Sequence, residues 1–583
     1  MGRSRIVVTA GLLLALLPTW GAALQPARAA GGIGIAQSDF AALTPANAVA
    51  FAAVQATAAD QNTNLMSLEH AVLGKVNLSA LMGSQASGAN ARLSTMLSQL
   101  MAALNGVFNG ETAVSMLPVT TAITTKGNVV PQFHILVDAG LRPGVGAVAL
   151  QGALMLQGVS SNATATHDGV TITSVNVAGL LRSAGAGTGL SAPEMSRLNA
   201  ITLQVAVVKD TAIVAGDAPT INAALDAATG SAPSLAANPD FQTTLAALPD
   251  GRLASLFVHV DLAADQQLAA ALMPRMAARP AISGTLSQAF SVSAEPHGLL
   301  VTASPRVATG DLAKTPNLMP TSGATPGILP AGTLFYAAMT NPGAIIQYAL
   351  TQAATLRQEA GNTGPALDPI KVIDRLLGLD LNQDVLPLLT GEASVALLPT
   401  GSASAQSAAG RRLSLVFTLK IDNQALVDGK LHQILSAFQA LSNNPSALQL
   451  VSTTGAGGVV QQVLKATPDG VGYAFLNGYL VIATALPADV AALQAVGSAG
   501  TLAADPQFQA AIQAAGGAGA GAVAYANLTA LRQTFEQLAK DRGTDLTRYD
   551  ARIQPILSAF TSLAVVTHPG AAGGGALFLG IAN

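Results

Sequence analysis

One nine-residue segment occurs twice in this chain, and this repeat restricts the fold more than any other feature of the sequence. Residues Ser234–Gln242 read SLAANPDFQ and residues Thr501–Gln509 read TLAADPQFQ, with six of the nine positions identical. Alanine matches carry little weight in an alanine-rich chain, but Leu, Pro, Phe and Gln also recur in register. The pattern indicates one structural unit written twice.

The segments before this pair repeat in the same order. Residues 45–53 match residues 330–338, where Pro-Ala leads into an apolar run that predicts a first strand. Residues 110–118 (GETAVSMLP) match residues 391–399 (GEASVALLP). Each of these predicts a short strand that stops at its proline, which lacks the N–H that a β-ladder needs.

A third matching pair predicts a β-hairpin followed by a short alanine-rich helix. Residues Val205–Ala215 (VAVVKDTAIVA) correspond to Tyr473–Ala483 (YAFLNGYLVIA). Asn477-Gly478 is a dipeptide that type I′ turns favour, because both central residues need positive φ. Lys209-Asp210 in the first copy is a weaker turn signal.

The last matching strands lead into helices. Residues 256–260 match residues 522–526 as strands, and Asp261 and Asn527 are suited to cap the helices that follow. A further helix is predicted between Asp368-Pro369 and Gly378. Helical spacing predicts one apolar face after Asn527, formed by Leu528, Leu531, Phe535 and Leu538.

Together these elements predict an α+β fold of two tandem homologous units. Each unit is expected to be a mainly antiparallel, curved sheet with helices packed on one face. The first unit is expected over residues 30–316 and the second over residues 317–583, with the Pro-, Thr- and Gly-rich stretch Ser304–Gly327 as the linker. A chain of 583 residues also exceeds what one hydrophobic core usually serves.

Residues 1–29 have the pattern of an export signal. Arg3 and Arg5 precede the apolar run Ile6–Leu17, which is too short to span a bilayer comfortably, and Ala27-Arg28-Ala29 fits an A-x-A cleavage site. We therefore expect cleavage after Ala29 and a periplasmic or extracellular protein. No later stretch reaches about 18 uninterrupted apolar residues, so no membrane span is expected after cleavage.

Composition excludes several kinds of partner and site. Charged residues make up 10% of the chain and the formal net charge is −3, which gives no electrostatic case for binding nucleic acid. The chain has no cysteine, and this excludes disulfides, thiolate metal sites and a lipid-modified cysteine. Aromatic residues amount to only 4%, so the core is expected to consist of Ala, Val and Leu.

One stretch of the second half resembles a known family. Residues 378–392 contain GLDL, then Asp384, LP and TGE, and this is similar to the recurrent GLDL…D.LP.L.GE stretch of uncharacterised bacterial exported proteins known as domain-of-unknown-function family 3352. Leu329-Pro330-Ala331, the hairpin at Ala474–Ile482 and the LAADPQF stretch are similar to it too. The first half departs from the pattern, because residues 103–108 lack the Asp and the Pro. The resemblance implies no activity, so no catalytic residue carries over.

The histidines form no local metal-binding or catalytic motif. No two of them lie at i, i+2 or i, i+4 spacing, and His167-Asp168-Gly169 predicts a turn. No G-x-S-x-G elbow, S-x-x-K or P-loop motif occurs, and Gly185–Gly189 is interpreted as a loop. The seven are His70, His134, His167, His259, His297, His432 and His568.

Two further sets of carboxylates are candidate functional sites. Asp380, Asn382 and Asp384 match the first three ligand positions of a calcium loop, but the later Gly and Glu ligands of that loop are missing. A helix-to-strand connection with polar caps is therefore predicted. Glu111 and Glu392 recur at equivalent places and either converge as a functional pair or each accept backbone hydrogen bonds locally; we favour the local role.

The sequence predicts an exported, non-enzymatic protein that acts by binding or as a structural part of the cell envelope. No catalytic residue, metal or cofactor is assigned. The alternative is a carrier for a lipid or another apolar ligand, because a curved sheet lined by small side chains can leave a cavity. A secreted hydrolase with an active site assembled from distant residues is a third hypothesis. Expected partners are an apolar small molecule or lipid, or another envelope protein.

Overall fold

The chain divides into two compact units in a computed structural model. Unit 1 takes its residues from Met1–Thr63, Leu78–Ser293 and Arg306–Asp311, and unit 2 from Asn64–Asn77, Ala294–Pro305 and Leu312–Asn583. The predicted export signal and the predicted helix before Gly378 lie outside the described residues. The structure describes residues 37–54, 63–68, 108–123, 129–142, 144, 148, 150, 152, 164–179, 192–272, 283–313, 318–359, 378–400, 412–442, 445–465, 467, 470–517, 519–570 and 573–582.

Strands dominate both units. In chain order they are β1 (Ala50–Val54), β2 (Phe108–Ile123), β3 (Val129–Leu141), β4 (Thr164–His167), β5 (Val170–Asn176), β6 (Thr202–Val208), β7 (Thr211–Ala215), β8 (Ala254–Asp261), β9 (Thr285–Glu295), β10 (Gly298–Ala303), β11 (Val307–Ala308), β12 (Phe335–Thr340), β13 (Glu392–Thr400), β14 (Arg412–Lys420), β15 (Leu450–Thr454), β16 (Val460–Leu464), β17 (Gly472–Leu476), β18 (Tyr479–Ala483), β19 (Ala522–Asn527), β20 (Phe560–Thr567) and β21 (Gly575–Ile581).

Helices connect many of these strands. They are α1 (Gln37–Leu43), α2 (Ala192–Asn199), α3 (Ala218–Thr229), α4 (Pro239–Ala246), α5 (Leu262–Leu272), α6 (Pro342–Glu359), α7 (Gln424–Leu441), α8 (Leu486–Gln494), α9 (Val496–Ala499), α10 (Pro506–Ala514), α11 (Leu528–Asp541), α12 (Thr547–Arg552) and α13 (Gln554–Leu557). Within the described part of the chain, no helix combines the length and the apolarity that crossing a bilayer requires.

The strands of each unit pair antiparallel. In unit 1 the order is β4-β5-β6-β7-β3-β2-β1-β8-β9-β11. In unit 2 the order is β15-β16-β17-β18-β14-β13-β12-β19-β20-β21-β10. The two orders correspond strand for strand from β4 and β15 to β9 and β20. The fold is therefore α+β with extensive antiparallel sheet, as the sequence predicts.

Three aromatic rings form the centre of the core in each unit. In unit 1, Phe241 meets the rings of Phe51 and Phe257 edge-on, with centroids 5.6 and 5.2 Å away. In unit 2, Phe508 meets Tyr336 and Tyr525 in the same way, at 6.0 and 5.1 Å. Phe241 and Phe508 are the phenylalanines of the repeated nine-residue segment, so this segment supplies the middle ring of both cores.

The other shared residues of that segment fold it into a 3₁₀ turn followed by a helix. Leu235 and Leu502 are fully buried. Asn238 and Asp505 cap the helices α4 and α10, each accepting hydrogen bonds from two backbone N–H groups, and the proline that follows occupies the first helical position, where its missing N–H costs nothing. The shared positions are therefore explained by packing and capping.

For unit 2, the structure corrects the prediction that helices pack on one face of the sheet. In unit 2, Val490 of α8 packs on the face that carries Val416, while Val427 of α7 packs on the face that carries Leu419. Strand β14 is apolar at successive positions from Leu415 to Phe417. A strand with apolar side chains on both faces needs cover on both.

Two strand boundaries also differ from the prediction. β2 continues past Pro118, and the register of its pairing with β3 shifts between Leu117 and Thr120, so the proline lies at an irregularity where no ladder donor is needed. β13 continues to Thr400, and Pro399 lies beyond the end of β12. The prolines therefore mark irregular or edge positions instead of strand ends.

The last matching strands correspond with a shift of two residues. Phe257 pairs with Phe51 and Tyr525 pairs with Tyr336, so residues 254–258, instead of 256–260, correspond to residues 522–526. Both predicted caps are confirmed, since the side chain of Asp261 accepts from the backbone N–H groups of residues 263 and 264 and that of Asn527 from residue 530.

Two packing details go beyond what the sequence predicts. The helix that carries the predicted apolar face is present as α11, but Phe535 on this face is 56% exposed. The stretch Ser304–Gly327 is more than a connector, because Ser304 and Thr325 are fully buried. Serine and threonine hydroxyls in this stretch have hydrogen-bonding roles that composition alone does not reveal.

Candidate functional site

A cavity of about 210 Å³ lies in unit 2 where three elements meet. These elements are the loop before β12, the end of β13 and the first two turns of α8. The loop and the strand end both belong to segments that recur in the first half of the sequence. The cavity is lined by Pro330, Gly332, Leu398, Pro399, Ala488, Asp489 and Ala492.

Asp489 is the charged group of this cavity. Its side chain is 1% exposed, and its Oδ2 accepts a hydrogen bond of 2.5 Å from the Oγ of Ser414 on β14. The Ser414 hydroxyl also lies 3.0 Å from the Oγ1 of Thr484. Burial raises the pKa of Asp489 to about 6, and the hydrogen bonds from Ser414 and the backbone of Ala485 only partly oppose this. At neutral pH this carboxylate is mostly ionised.

The corresponding place in unit 1 holds an aliphatic side chain. Asp489 is the fourth residue after Ala485, which precedes α8, and Ile221 is the fourth residue after Asp217, which precedes α3. Ile221 is fully buried. The fold therefore accepts isoleucine here, and packing alone does not require the carboxylate of unit 2.

Unit 1 instead has a polar group around His134, the residue of β3 that corresponds to Ser414 of β14. The Nδ1 of His134 on β3 lies 3.1 Å from the Oδ2 of Asp217, and its Nε2 lies 2.8 Å from the Oγ1 of Thr120. The other oxygen of Asp217 accepts from the backbone N–H of Thr220 at 2.8 Å and so caps α3. Hydroxyl, imidazole and carboxylate follow one another in the order found in nucleophilic sites.

The predicted turn at His167-Asp168-Gly169 is confirmed as the tip of the β4–β5 hairpin. The Nε2 of His167 lies 2.6 Å from the Oδ1 of Asp226, and this hydrogen bond raises the pKa of His167. The Oδ2 of Asp168 accepts a hydrogen bond of 2.8 Å from Ser231. Ligand atoms of His167, Asp168 and Asp226 all lie within 4.8 Å of one another and could hold a metal ion.

Glu392 has the local role that the sequence predicts. Its carboxylate accepts from the backbone N–H of Ser322 at 2.7 Å and of Thr325 at 3.1 Å, and also from both hydroxyls. Burial opposes its ionisation, but these hydrogen bonds outweigh burial and hold the pKa of Glu392 below the ordinary value. Glu111, its counterpart in unit 1, is also buried.

The calcium-like stretch forms the predicted polar caps. The Oδ1 of Asp380 accepts from the backbone N–H groups of Asn382 and Gln383, at 2.9 and 3.0 Å. Asp384 accepts from the backbone N–H of Asp380 and pairs with the Nζ of Lys430 at 2.8 Å. Both carboxylates therefore stabilise the local backbone conformation through hydrogen bonds.

Gly391, in the same family-like stretch, lies where the backbone approaches Lys420 closely. A Cβ at this position would lie 2.2 Å from the carbonyl oxygen of Lys420. Only glycine permits so close an approach of two strands. The recurrent residues of this stretch are therefore structural.

Sequence reasoning did not predict the Asp489 cavity, the His134 group or the contact of His167 with Asp226. The partners lie far apart in the chain, so no local motif marks them. One signal was available for Asp489, because a comparison of the two halves aligns it with Ile221 in the corresponding helix. His70, among the histidines of the sequence, lies outside the described residues.

Comparison with known proteins gives one match. A protein-family model with the description "Protein of unknown function (DUF3352)" matches residues 150–571. No curated protein and no solved structure matches the chain. The matched range covers well over half of the chain and includes the cavity and the GLDL stretch.

Proposed function

The chain belongs to the DUF3352 family of proteins of unknown function, and from this premise we propose that it is an exported, non-enzymatic protein of the cell envelope that acts by binding a small molecule. Its two units are homologous copies of one scaffold. Unit 2 carries the binding site, at the cavity beside Asp489.

One observation carries this proposal. A carboxylate lies buried on the wall of a small cavity at a place where the other unit has the fully buried Ile221. Burying an ionised group without a partner of opposite charge is costly. A side chain that the fold does not need, and that is unfavourable in the empty protein, is typical of a functional site.

The size of the cavity favours a small ligand over a lipid. Pockets for drug-sized ligands usually measure about 300–1,000 Å³, and this cavity measures about 210 Å³. It admits a few non-hydrogen atoms but no extended acyl chain. The alternative of a lipid carrier finds no support in this cavity.

Native mass spectrometry of the protein purified from its host tests the proposal. We expect the protein in the envelope fraction, with Ala30 as its first residue and a small adduct bound. The adduct should be lost in Asp489→Asn. Recovery of the protein from the cytoplasm would contradict the export proposal, and an adduct-free protein that also binds nothing from a metabolite library would contradict the binding proposal.

The group around His134 supports a second candidate, a hydrolase that uses Thr120 as nucleophile and His134 as base. The short distances from the Thr120 hydroxyl to the His134 imidazole, and from that imidazole to the Asp217 carboxylate, support this candidate. An esterase and peptidase screen tests it with Thr120→Val and His134→Gln as paired variants. Activity that both variants abolish supports the hydrolase, and activity that survives in both excludes this site.

A further inference from the structure

We propose that the cavity beside Asp489 binds a primary ammonium group carried on a short apolar chain. This inference rests on the proposed function, since it names the class of ligand for the same site. The charge, the walls and the access of the cavity support it.

The charge of the cavity is negative and uncompensated within the described residues. Among the described residues, Asp489 is the only titratable group that lines the cavity. No basic side chain of the described chain forms an ion pair with it. Ser414 and the backbone of Ala485 form hydrogen bonds with the carboxylate, but these neutral groups do not neutralise its charge. A ligand cation would supply the missing partner and form a charge-assisted hydrogen bond.

The walls of the cavity are mostly apolar. Pro330, Leu398, Pro399 and Ala492 line it beside Asp489, which is almost completely buried. One charged anchor among apolar walls matches a ligand with one charged end and a short hydrocarbon part. Anions are disfavoured by repulsion from Asp489, and strongly hydrated metal ions lack the several oxygen ligands that they require.

The cavity reaches the protein surface beside α8. Ala488 lines the cavity and is exposed. A larger side chain at this position would cover the entrance without entering the core. Leucine is a good helix former, so Ala488→Leu is a blocking variant that should leave the fold intact.

Isothermal titration calorimetry on the full exported chain tests the inference. The probe is n-butylammonium chloride, and 1-butanol and sodium butyrate are the neutral and anionic analogues with the same chain length. We expect the ammonium to bind about tenfold or more tightly than either analogue, because only it pairs with the carboxylate. Nα-acetyl-lysine amide, added as a further probe, shows whether the site also admits a lysine side chain or only a free amine.

Two variants locate the binding. Asp489→Asn keeps the shape of the side chain and should weaken ammonium binding about tenfold or more, while Ala488→Leu should abolish it. Ala264→Leu, at the exposed third position of α5 in unit 1, makes the same substitution far from the cavity in sequence and should bind normally. Affinity should also fall as the pH drops below about 6, where Asp489 takes up a proton.

The outcomes separate this inference from the proposed function. If butanol or butyrate binds as well as the ammonium and Ala488→Leu blocks it, the ligand class is wrong although the pocket binds small molecules. If wild type binds none of the probes, the inference is overturned. Binding that survives in both Asp489→Asn and Ala488→Leu would also overturn it, since the ammonium would then lie elsewhere.

Discussion

The Oγ of Ser414 and the Oδ2 of Asp489 are joined by a hydrogen bond of 2.5 Å inside unit 2. The corresponding pair in unit 1 is His134 and Ile221, which cannot form such a bond. Two units with matching strand orders thus carry different side chains at this position. Since Ile221 is fully buried in unit 1, packing at this position does not require a carboxylate.

The middle aromatic ring of each unit is expected to contribute strongly to stability. Phe508 is largely buried between Tyr336 and Tyr525. We predict that Phe508→Ala lowers the free energy of unfolding of unit 2 by about 3 kcal/mol or more, because it leaves a cavity and removes two ring contacts. Urea denaturation with hydrogen exchange, which resolves the two units, measures this.

Two companion variants control that measurement. Phe241→Ala should destabilise unit 1 by a similar amount, since its ring lies between Phe51 and Phe257. Phe535→Ala, at an exposed position, should change stability by no more than about 0.5 kcal/mol. Equal effects of Phe508→Ala and Phe535→Ala would contradict the packing described.

Glu392 is predicted to stabilise unit 2 most at neutral pH. Its pKa is lower in the folded protein than in the unfolded chain, so its stabilising effect is complete above the unfolded pKa and is lost as the pH falls through the folded pKa. Glu392→Gln should cost about 1.5–3 kcal/mol at neutral pH. Urea unfolding should show the gap to wild type narrowing below about pH 4.5; a gap independent of pH would refute the role of the charge.

Asp138 should destabilise unit 1. It is fully buried, its carboxylate oxygens have no hydrogen-bond partner in the described structure, and burial raises its pKa well above the ordinary value. Asp138 on β3 lies opposite Ala113 on β2. The corresponding pair in unit 2 is Ser394 and Thr418, whose hydroxyl oxygens lie 2.7 Å apart. The double variant Ala113→Ser, Asp138→Thr should therefore raise the midpoint of thermal unfolding at neutral pH, and a lower midpoint would count against this reasoning.

His167 should titrate at a higher pH than an ordinary histidine. The hydrogen bond with Asp226 raises its pKa, so the interaction stabilises the protein fully below the unfolded value and is lost as the pH rises through the folded pKa. NMR titration should show Asp226→Asn lowering the pKa of His167 markedly. Asp168→Asn, which removes a weaker influence, should lower it less, and the reverse order would contradict the geometry.

Local signals explain why much of the fold was predictable. The Asn477-Gly478 turn, the caps at Asp261 and Asn527 and the repeated nine-residue segment depend on neighbours in the chain, and the structure contains each of them. The order of elements along the chain was predictable because matching segments recur in the same order in both halves of the sequence.

Long-range contacts explain what was missed. Ser414 meets Asp489 only because β14 pairs with β18, which leads into α8. The cover on both sheet faces and the exposure of Phe535 likewise depend on tertiary packing. These features are set by elements distant in sequence, where single-sequence patterns carry little information.

The central claim is that Asp489 serves binding and not folding. Burial raises its pKa to about 6, so the folded protein holds the proton more tightly than the unfolded chain. The stability of the empty protein should fall as the pH rises from about 4 through about 6, and stay lowered above that.

The most direct measurement is the free energy of unfolding of Asp489→Asn against wild type at about pH 7.5 and about pH 4, without ligand. We predict a variant more stable by about 1–3 kcal/mol at the higher pH, with little difference at the lower. A variant less stable than wild type at about pH 7.5 would show that the carboxylate and its bond to Ser414 hold the fold together, and would contradict the account.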